Sequence, residues 1–179
     1  MSELAKIFRG DGFVDERYVQ FEDDAAALAG HDADVILVRV ERWINDASSR
    51  VLDGRRVGVF VDPAIVDDEA LPKLLDAPVV AIDFPKFTDG RGYSVARTLR
   101  DQLGFGGELL ATGDVLVDQV PLMVRCGFSA FSVSHEPTAR ALASDAFKGI
   151  DHIYQAPALG RDWQRRSRAA TAGETGARV

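Results

Sequence analysis

Cysteine is almost missing from this 179-residue chain, which holds only Cys126. One thiol excludes an internal disulfide, a paired-cysteine redox motif and a cysteine-ligated iron–sulfur cluster within the chain. Histidine is scarce too. None of the three is spaced with another histidine or a carboxylate as a helical metal motif requires, so no metal site is expected. No apolar stretch approaches the roughly twenty residues of a membrane span. The opening MSELAKIFRGDGF lacks the continuous apolar run of a signal peptide, which sets the cytoplasm as the expected location. Basic residues are also in deficit, 21 Lys and Arg against 28 Asp and Glu, for a net charge of −7 and a pI of about 4.9. Such a surface repels phosphate backbones and anionic lipids, which argues against nucleic acid and membrane as partners. The one basic concentration, Arg161, Arg165, Arg166, Arg168 and Arg178, lies in a polar C-terminal tail and reads as a solvated terminus.

What the chain does have is an ordinary globular balance, 46% apolar and 27% charged. It is long enough to bury roughly two-thirds of its unfolded surface. These totals predict one α/β domain over residues 1–160 and a disordered polar tail over 161–179. A hairpin arm is expected over residues 1–34: Ile7-Phe8 and Phe13-Val14 flank Gly10-Asp11-Gly12, and Tyr18 to Phe21 adds a short strand. A homodimer is the default assembly, two-fold pairs being the commonest.

From residue 35 onward short apolar runs alternate with amphipathic segments. The runs are 35–38, 57–61, 79–82, 108–111, 130–133 and 152–154, rich in β-branched residues, as buried parallel strands are. Between Tyr93 and Leu103, Ala96, Leu99 and Leu103 fall at helical spacing, with Arg97, Arg100 and Asp101 on the other face and Gly104 as terminator. A second helix ends at Arg125-Cys126 before Gly127, and a third runs from about Thr138 to Phe147. The pattern predicts a mostly parallel sheet of about six strands, open and doubly wound, with a partial barrel as the alternative.

Ligands of such sheets bind outside the carboxyl ends of the strands. On that edge the segment Pro85 to Ser94 contains Lys86, Asp89, Gly90, Arg91 and Gly92. Two cations, two glycines and a helix start suit an oxyanion such as sulfite, sulfate, phosphate or a carboxylate. The structural alternative is a tight turn in which Asp89 caps the helix and pairs with Arg91. The next strand ends at Asp114, and Pro121 then requires a helix beginning near Gln119, with Asp118 as its cap, or a kink. Asp114 either caps or points into the site. His135 ends the following strand and is the one histidine of this edge, a candidate acid or base alongside Asp114 or simply an exposed loop residue. Cys126 belongs to the opposite edge and reads as a structural thiol, while His31 and His152 stand apart from the site.

Residues 83–133, with Phe84-Pro85-Lys86-Phe87-Thr88-Asp89-Gly90-Arg91-Gly92-Tyr93-Ser94, Gly113-Asp114-Val115-Leu116, Asp118-Gln119 and Arg125-Cys126-Gly127-Phe128, strongly resemble an uncharacterised bacterial family. It is the one catalogued as domain of unknown function nine hundred and thirty-four. Weaker similarity extends back through Gly58-Val59 and Trp43. The chain departs from the family's pattern at Val117, where relatives carry a basic residue, and at Pro121. The resemblance implies a place beside sulfite reductase in sulfate assimilation, and family members are often labelled as oxidoreductases of sulfite reduction. Six-electron sulfite reduction needs a redox cofactor, and the chain has no siroheme, iron–sulfur, flavin or nicotinamide motif. The expected role is thus an accessory protein partnering sulfite reductase or its electron donor and binding a small anion. A small enzyme acting on an anionic metabolite, and an oxidoreductase with an unrecognised cofactor site, are the alternatives.

Overall fold

A computed structural model describes residues 2–3, 6–10, 12–21, 32–50, 54–86 and 88–144. The apolar runs become strands of a single sheet: β1 (Ser2–Glu3), β2 (Lys6–Arg9), β3 (Gly12–Val14), β4 (Tyr18–Gln20), β5 (Val35–Arg39), β6 (Arg56–Val61), β7 (Val79–Phe84), β8 (Glu108–Gly113) and β9 (Ala130–Val133). Their order is β1-β4-β5-β6-β7-β8-β9-β2-β3. The six central strands, β4 through β9, are parallel, and antiparallel pairs occur only at the two ends. Five expected strands stand where the β-branched runs placed them. The sixth, 152–154, lies outside the described residues, as do the tail, His31 and His152.

The sheet differs from the expectation in strand count and winding. The described sheet has nine strands rather than about six: β2, β3 and β4, the segments expected as an N-terminal arm, join the same sheet, and β1, two residues long, shows no pattern in the sequence. Strands β4 to β9 are also laid down side by side without reversal, so a doubly wound sheet is corrected to a curled one, a half-barrel. The physical reason is handedness: successive right-handed crossovers in one direction put every helix on the same face. Residues of α1 (Val40–Asn45), α2 (Arg91–Arg97), α3 (Val120–Arg125) and α4 (Glu136–Ala143) join one large cluster with Ile36, Val38, Val59, Val80, Ile82, Leu109 and Phe131. The alternate strand residues, Val35, Leu37, Val79, Ala81, Leu110 and Ala130, form a smaller cluster on the concave face.

Both ends of the sheet are held by the first nine residues. Ser2 and Glu3 pair with Gln20 and Val19 of β4, whereas Lys6 to Arg9 pair with Val133 to Ala130 of β9. Only two residues separate these strands in sequence, so the N-terminal chain bridges the open side of the half-barrel. The hairpin β2–β3 forms as expected, but Tyr18–Gln20 joins the parallel sheet rather than an antiparallel arm.

One helix departs from its sequence pattern. After Arg97 the chain widens into a π turn over Thr98–Gln102, in which the Leu103 N–H reaches the Thr98 carbonyl. Ala96 and Leu99 are buried as their spacing requires, the latter contributing about 2 kcal/mol. Arg100, expected on the polar face, is instead 4% exposed. Its Nε donates to the Gly127 carbonyl at 3.0 Å and its Nη1 to the Phe105 carbonyl at 2.6 Å. Burial pulls its pKa down to about 10, with Glu108 opposing the shift. Four residues after Ala96 and three before Leu103, Arg100 lies on the buried face of a regular helical period; its charge is what made it read as polar-side. Gly104 ends the segment with φ of 69°, the left-handed terminator its position predicted. No described helix is long and apolar enough to cross a membrane.

Candidate functional site

The carboxyl ends of β5 to β9 form one rim of the half-barrel, where ligand sites of (β/α) sheets gather. The loop from β7 to α2 brings Lys86, Asp89, Gly90, Arg91 and Gly92 there. Asp89 organises it. Its Oδ1 accepts the Arg91 N–H at 3.1 Å and the Arg91 Nε–H at 3.0 Å, while Oδ2 accepts Nη2–H at 2.6 Å. The hydrogen bonds from Arg91 hold the Asp89 carboxyl down to about 2, and Asp89 in turn raises the Arg91 guanidinium. Arg91 is therefore fixed in orientation yet 57% exposed. Lys86 is exposed and its carbonyl accepts the Asp89 N–H.

Of the two glycines only Gly92 is required by packing; a Cβ at Gly90 would meet nothing within 4 Å. Gly90 has an ordinary φ of −78°. At Gly92 an added Cβ would sit 2.6 Å from the Phe84 ring, so the glycine lets α2 lie against β7. That ring also meets Tyr93 and Phe128 at centroid distances of 5.1 and 5.7 Å.

The other two candidates sit at neighbouring strand ends. Asp114 follows β8, and its N–H donates to the Phe84 carbonyl at 2.7 Å. Helix α3 begins at Val120 with Gln119 at its cap position and Pro121 in the tolerant first turn; Asp118 does not supply the cap. His135 is the cap residue of α4, and its Nδ1 lies 2.9 Å from Thr138 Oγ1. Cys126 ends α3 at 7% exposure, with burial pushing its thiol pKa up. Lys86 and Arg91, from the one β7–α2 loop, thus share a rim with Asp114 at the end of β8 and His135 at the end of β9.

A second set of polar groups on this rim went unread in the sequence. Val79 and Ala81 face the concave side, so Asp83, two residues on, does too. By the same parity and register Thr112, Ser132 and Asp62 face inward at one height on the neighbouring strands. Thr112, 1% exposed, donates from Oγ1 to Asp83 Oδ1 at 3.1 Å. Burial raises the Asp83 carboxyl, the Thr112 bond opposes the rise, and the Asp62 charge adds to it. The missed signal was a polar residue at the inward parity of a strand end, twice over. Beside Asp62 a cavity of about 90 Å³ opens, lined by Arg39, Glu41, Phe60, Ile65 and Val66 among others.

The raised Asp83 carboxyl has a consequence for stability. A folded-state pKa above the unfolded one means the native state binds the proton more tightly, so stability falls as pH rises through that interval. Asp83→Asn removes the charge and keeps the shape. It is expected to raise the melting temperature at about pH 7 by about 1–4 °C. Below the ordinary value of 3.8 the difference from the parent should vanish. Parallel thermal melts across pH check this, and a lower melting temperature at neutral pH refutes it.

The opposite, amino-end rim carries a denser network. Arg9 donates from Nε to Glu108 Oε2 at 2.6 Å, and from Nη2 to Glu108 Oε1 at 3.0 Å and Glu16 Oε2 at 2.7 Å. It also contacts the Tyr18 hydroxyl, which donates to Glu108 Oε1 at 2.8 Å. Burial alone would lower the Arg9 pKa, but the bonds to Glu16 and Glu108 outweigh it and the net shift is upward. Tyr18 is raised, first by burial and then by the Glu108 charge. These groups come from β2, β4 and β8, so the network spans the concave face. Among the described residues no group of three or more His, Cys, Asp and Glu side chains is arranged to hold a metal.

No curated protein is similar to the chain. The model of one family, described as bacterial protein of unknown function (DUF934), matches residues 58–162, which include β7, the Lys86–Gly92 loop, β8, β9 and α4. With more than half its length inside that match, which takes in the carboxyl ends of β6 to β9, the chain belongs to the DUF934 family of bacterial proteins.

Proposed function

We propose that this chain is an accessory protein of assimilatory sulfite and sulfate reduction, which docks on sulfite reductase or its electron donor and binds a small oxyanion at the carboxyl-end rim. The observation that carries the binding half is Arg91, whose guanidinium is clamped by Asp89 yet 57% exposed, in the same loop as the exposed Lys86. A clamped cation loses little freedom when an anion arrives, which favours recognition. The sulfur connection rests on the family resemblance of the loop and strand ends.

Two measurements test it. Sulfite or sulfate is expected to raise the melting temperature of the wild type and not of Arg91→Ala, whose own melting temperature stays within about 2 °C because exposed pairs contribute little. Native pull-down with sulfite reductase and its donor is expected to retain one of them. Absence of both effects overturns the reading.

The inward pair Asp62 and Asp83, with Thr112 on the latter, favours a second reading. In it the protein is a small enzyme acting on an anionic metabolite, and a carboxyl of raised pKa moves a proton. Turnover of sulfite or adenylyl sulfate that Asp83→Asn abolishes would select this reading over the accessory role.

A further inference from the structure

The connection from β6 to β7, residues 62–78, carries five acids (Asp62, Asp67, Asp68, Glu69 and Asp76) against one cation, Lys73. It also holds Ile65, 65% exposed, and Leu75, 38% exposed, two of the three exposed large hydrophobics of the described residues. The segment is tied by local hydrogen bonds. Asp62 Oδ1 accepts the Ala64 N–H at 2.8 Å, the Asp62 carbonyl accepts from Ile65 and Val66, and Asp67 Oδ1 accepts the Ala70 N–H at 2.8 Å. A 3₁₀ turn over Leu71–Leu74 buries Leu71 and Leu74 beneath it, and the Lys73 carbonyl takes the Trp43 Nε1–H at 3.2 Å. Ile65 is thus displayed by fixed turns. Among the described residues Asp68, Glu69 and Asp76 are exposed and make no ion pair.

We infer that this connection is a protein-docking element, and that its partner presents a basic face with an apolar recess for Ile65. The inference rests on the reading of the chain as a docking accessory and specifies the partner's chemistry. Charge complementarity selects that partner. Acids bordering an apolar knob repel phosphates and anionic headgroups, and attract Lys and Arg, which steers encounter while the apolar contact holds the complex. The cavity beside Ile65 is bounded by Phe60 and Val66 on apolar sides, by Glu41 and Asp62 on acidic ones and by the single cation Arg39. It matches the aliphatic stem and charged head of a lysine or arginine from the partner.

The test titrates the isotope-labelled chain with a capped peptide of sequence Lys-Leu-Arg-Ala-Lys, and with the same peptide carrying Glu for each cation. The basic peptide is expected to shift amide signals concentrated in residues 62–76, with affinity falling about fivefold or more between about 50 and about 200 mM salt. The acidic peptide should produce no shifts. Ile65→Ser and the pair Asp68→Lys with Glu69→Lys are each expected to weaken binding about fivefold or more, with melting temperatures unchanged because all three side chains are exposed. Shifts spread over other acidic surfaces, or full affinity in Ile65→Ser, overturn the inference. Self-association lost in the charge-reversal variant overturns it too, making a second copy, through its own arginines, the occupant. Sulfite reductase that binds Ile65→Ser as well as wild type refutes this element while leaving the accessory role standing. Peptide mapping to 62–76 without reductase binding does the reverse.

Discussion

Replacing Arg9 by alanine is expected to destabilise the protein by about 2–4 kcal/mol, the order found when one member of a largely buried ion pair is removed. The guanidinium meets Glu108 at two points, Glu16 at one and the Tyr18 hydroxyl. At 14% side-chain exposure for both Arg9 and Glu108, neither charge can return fully to water. Alanine leaves Glu108 and Glu16 facing the inner surface of the half-barrel without their cation, and leaves Tyr18 donating to a repulsive pair. Urea unfolding measures the loss. The double variant Arg9→Met/Glu108→Leu should recover more than half of it, since apolar replacement of a buried pair is often close to neutral. Acid provides a second readout. The hydrogen bond from Arg9 is the main cause holding the Glu16 pKa below 4.5. A depressed carboxyl contributes stability that is present above the unfolded value and lost as pH falls through the folded one. Wild type should therefore lose stability more steeply below about pH 4.5 than Arg9→Ala. A loss below about 1 kcal/mol in urea would show that the cluster is not holding the ends of the sheet together.

Gly113→Ala is expected to cost about 2–5 kcal/mol, combining left-handed strain with a steric conflict. Gly113 has φ of 85°, and a Cβ there would stand 2.4 Å from the Phe84 carbonyl oxygen and 2.8 Å from Asp83 Oδ1. Alanine must push the end of β8 away from β7. That movement breaks the Asp114 N–H bond to the Phe84 carbonyl and the Thr112 contact to Asp83, so rim and stability should fail together. Urea unfolding and the sulfite thermal shift, run on one preparation, check both. A stability loss under about 1 kcal/mol would mean that the two strand ends separate without penalty.

The parallel core was readable because Val35 to Val38, Val57 to Val61 and Val79 to Ile82 are buried on both faces, leaving continuous β-branched runs. The direction of winding was not, because local periodicity says nothing about which neighbour a strand joins. Tyr18–Gln20 shows the limit from the other side. Three residues cannot display a period, yet they form the sixth parallel strand. The rim loop was legible through its glycines and charges, but the reason for Gly92 lies in the Phe84 ring across the interface. Arg100 was misplaced because its charge outweighed its position, four residues after Ala96 on the buried face. Asp83 and Thr112 escaped notice because, at the ends of apolar strands, they read as strand exits rather than as the inward layer they form.

The bridge made by the first nine residues has a consequence in time. Synthesis delivers Arg9 long before Ala130, its partner on β9, which lies 121 positions further along the chain. At about 5–20 residues per second that gap is on the order of 6–24 seconds. Hairpin β2–β3 can close on its own during the wait, being local in sequence. The seam between β2 and β9 cannot, so β2, one of the first strands to leave the ribosome, is among the last to be placed.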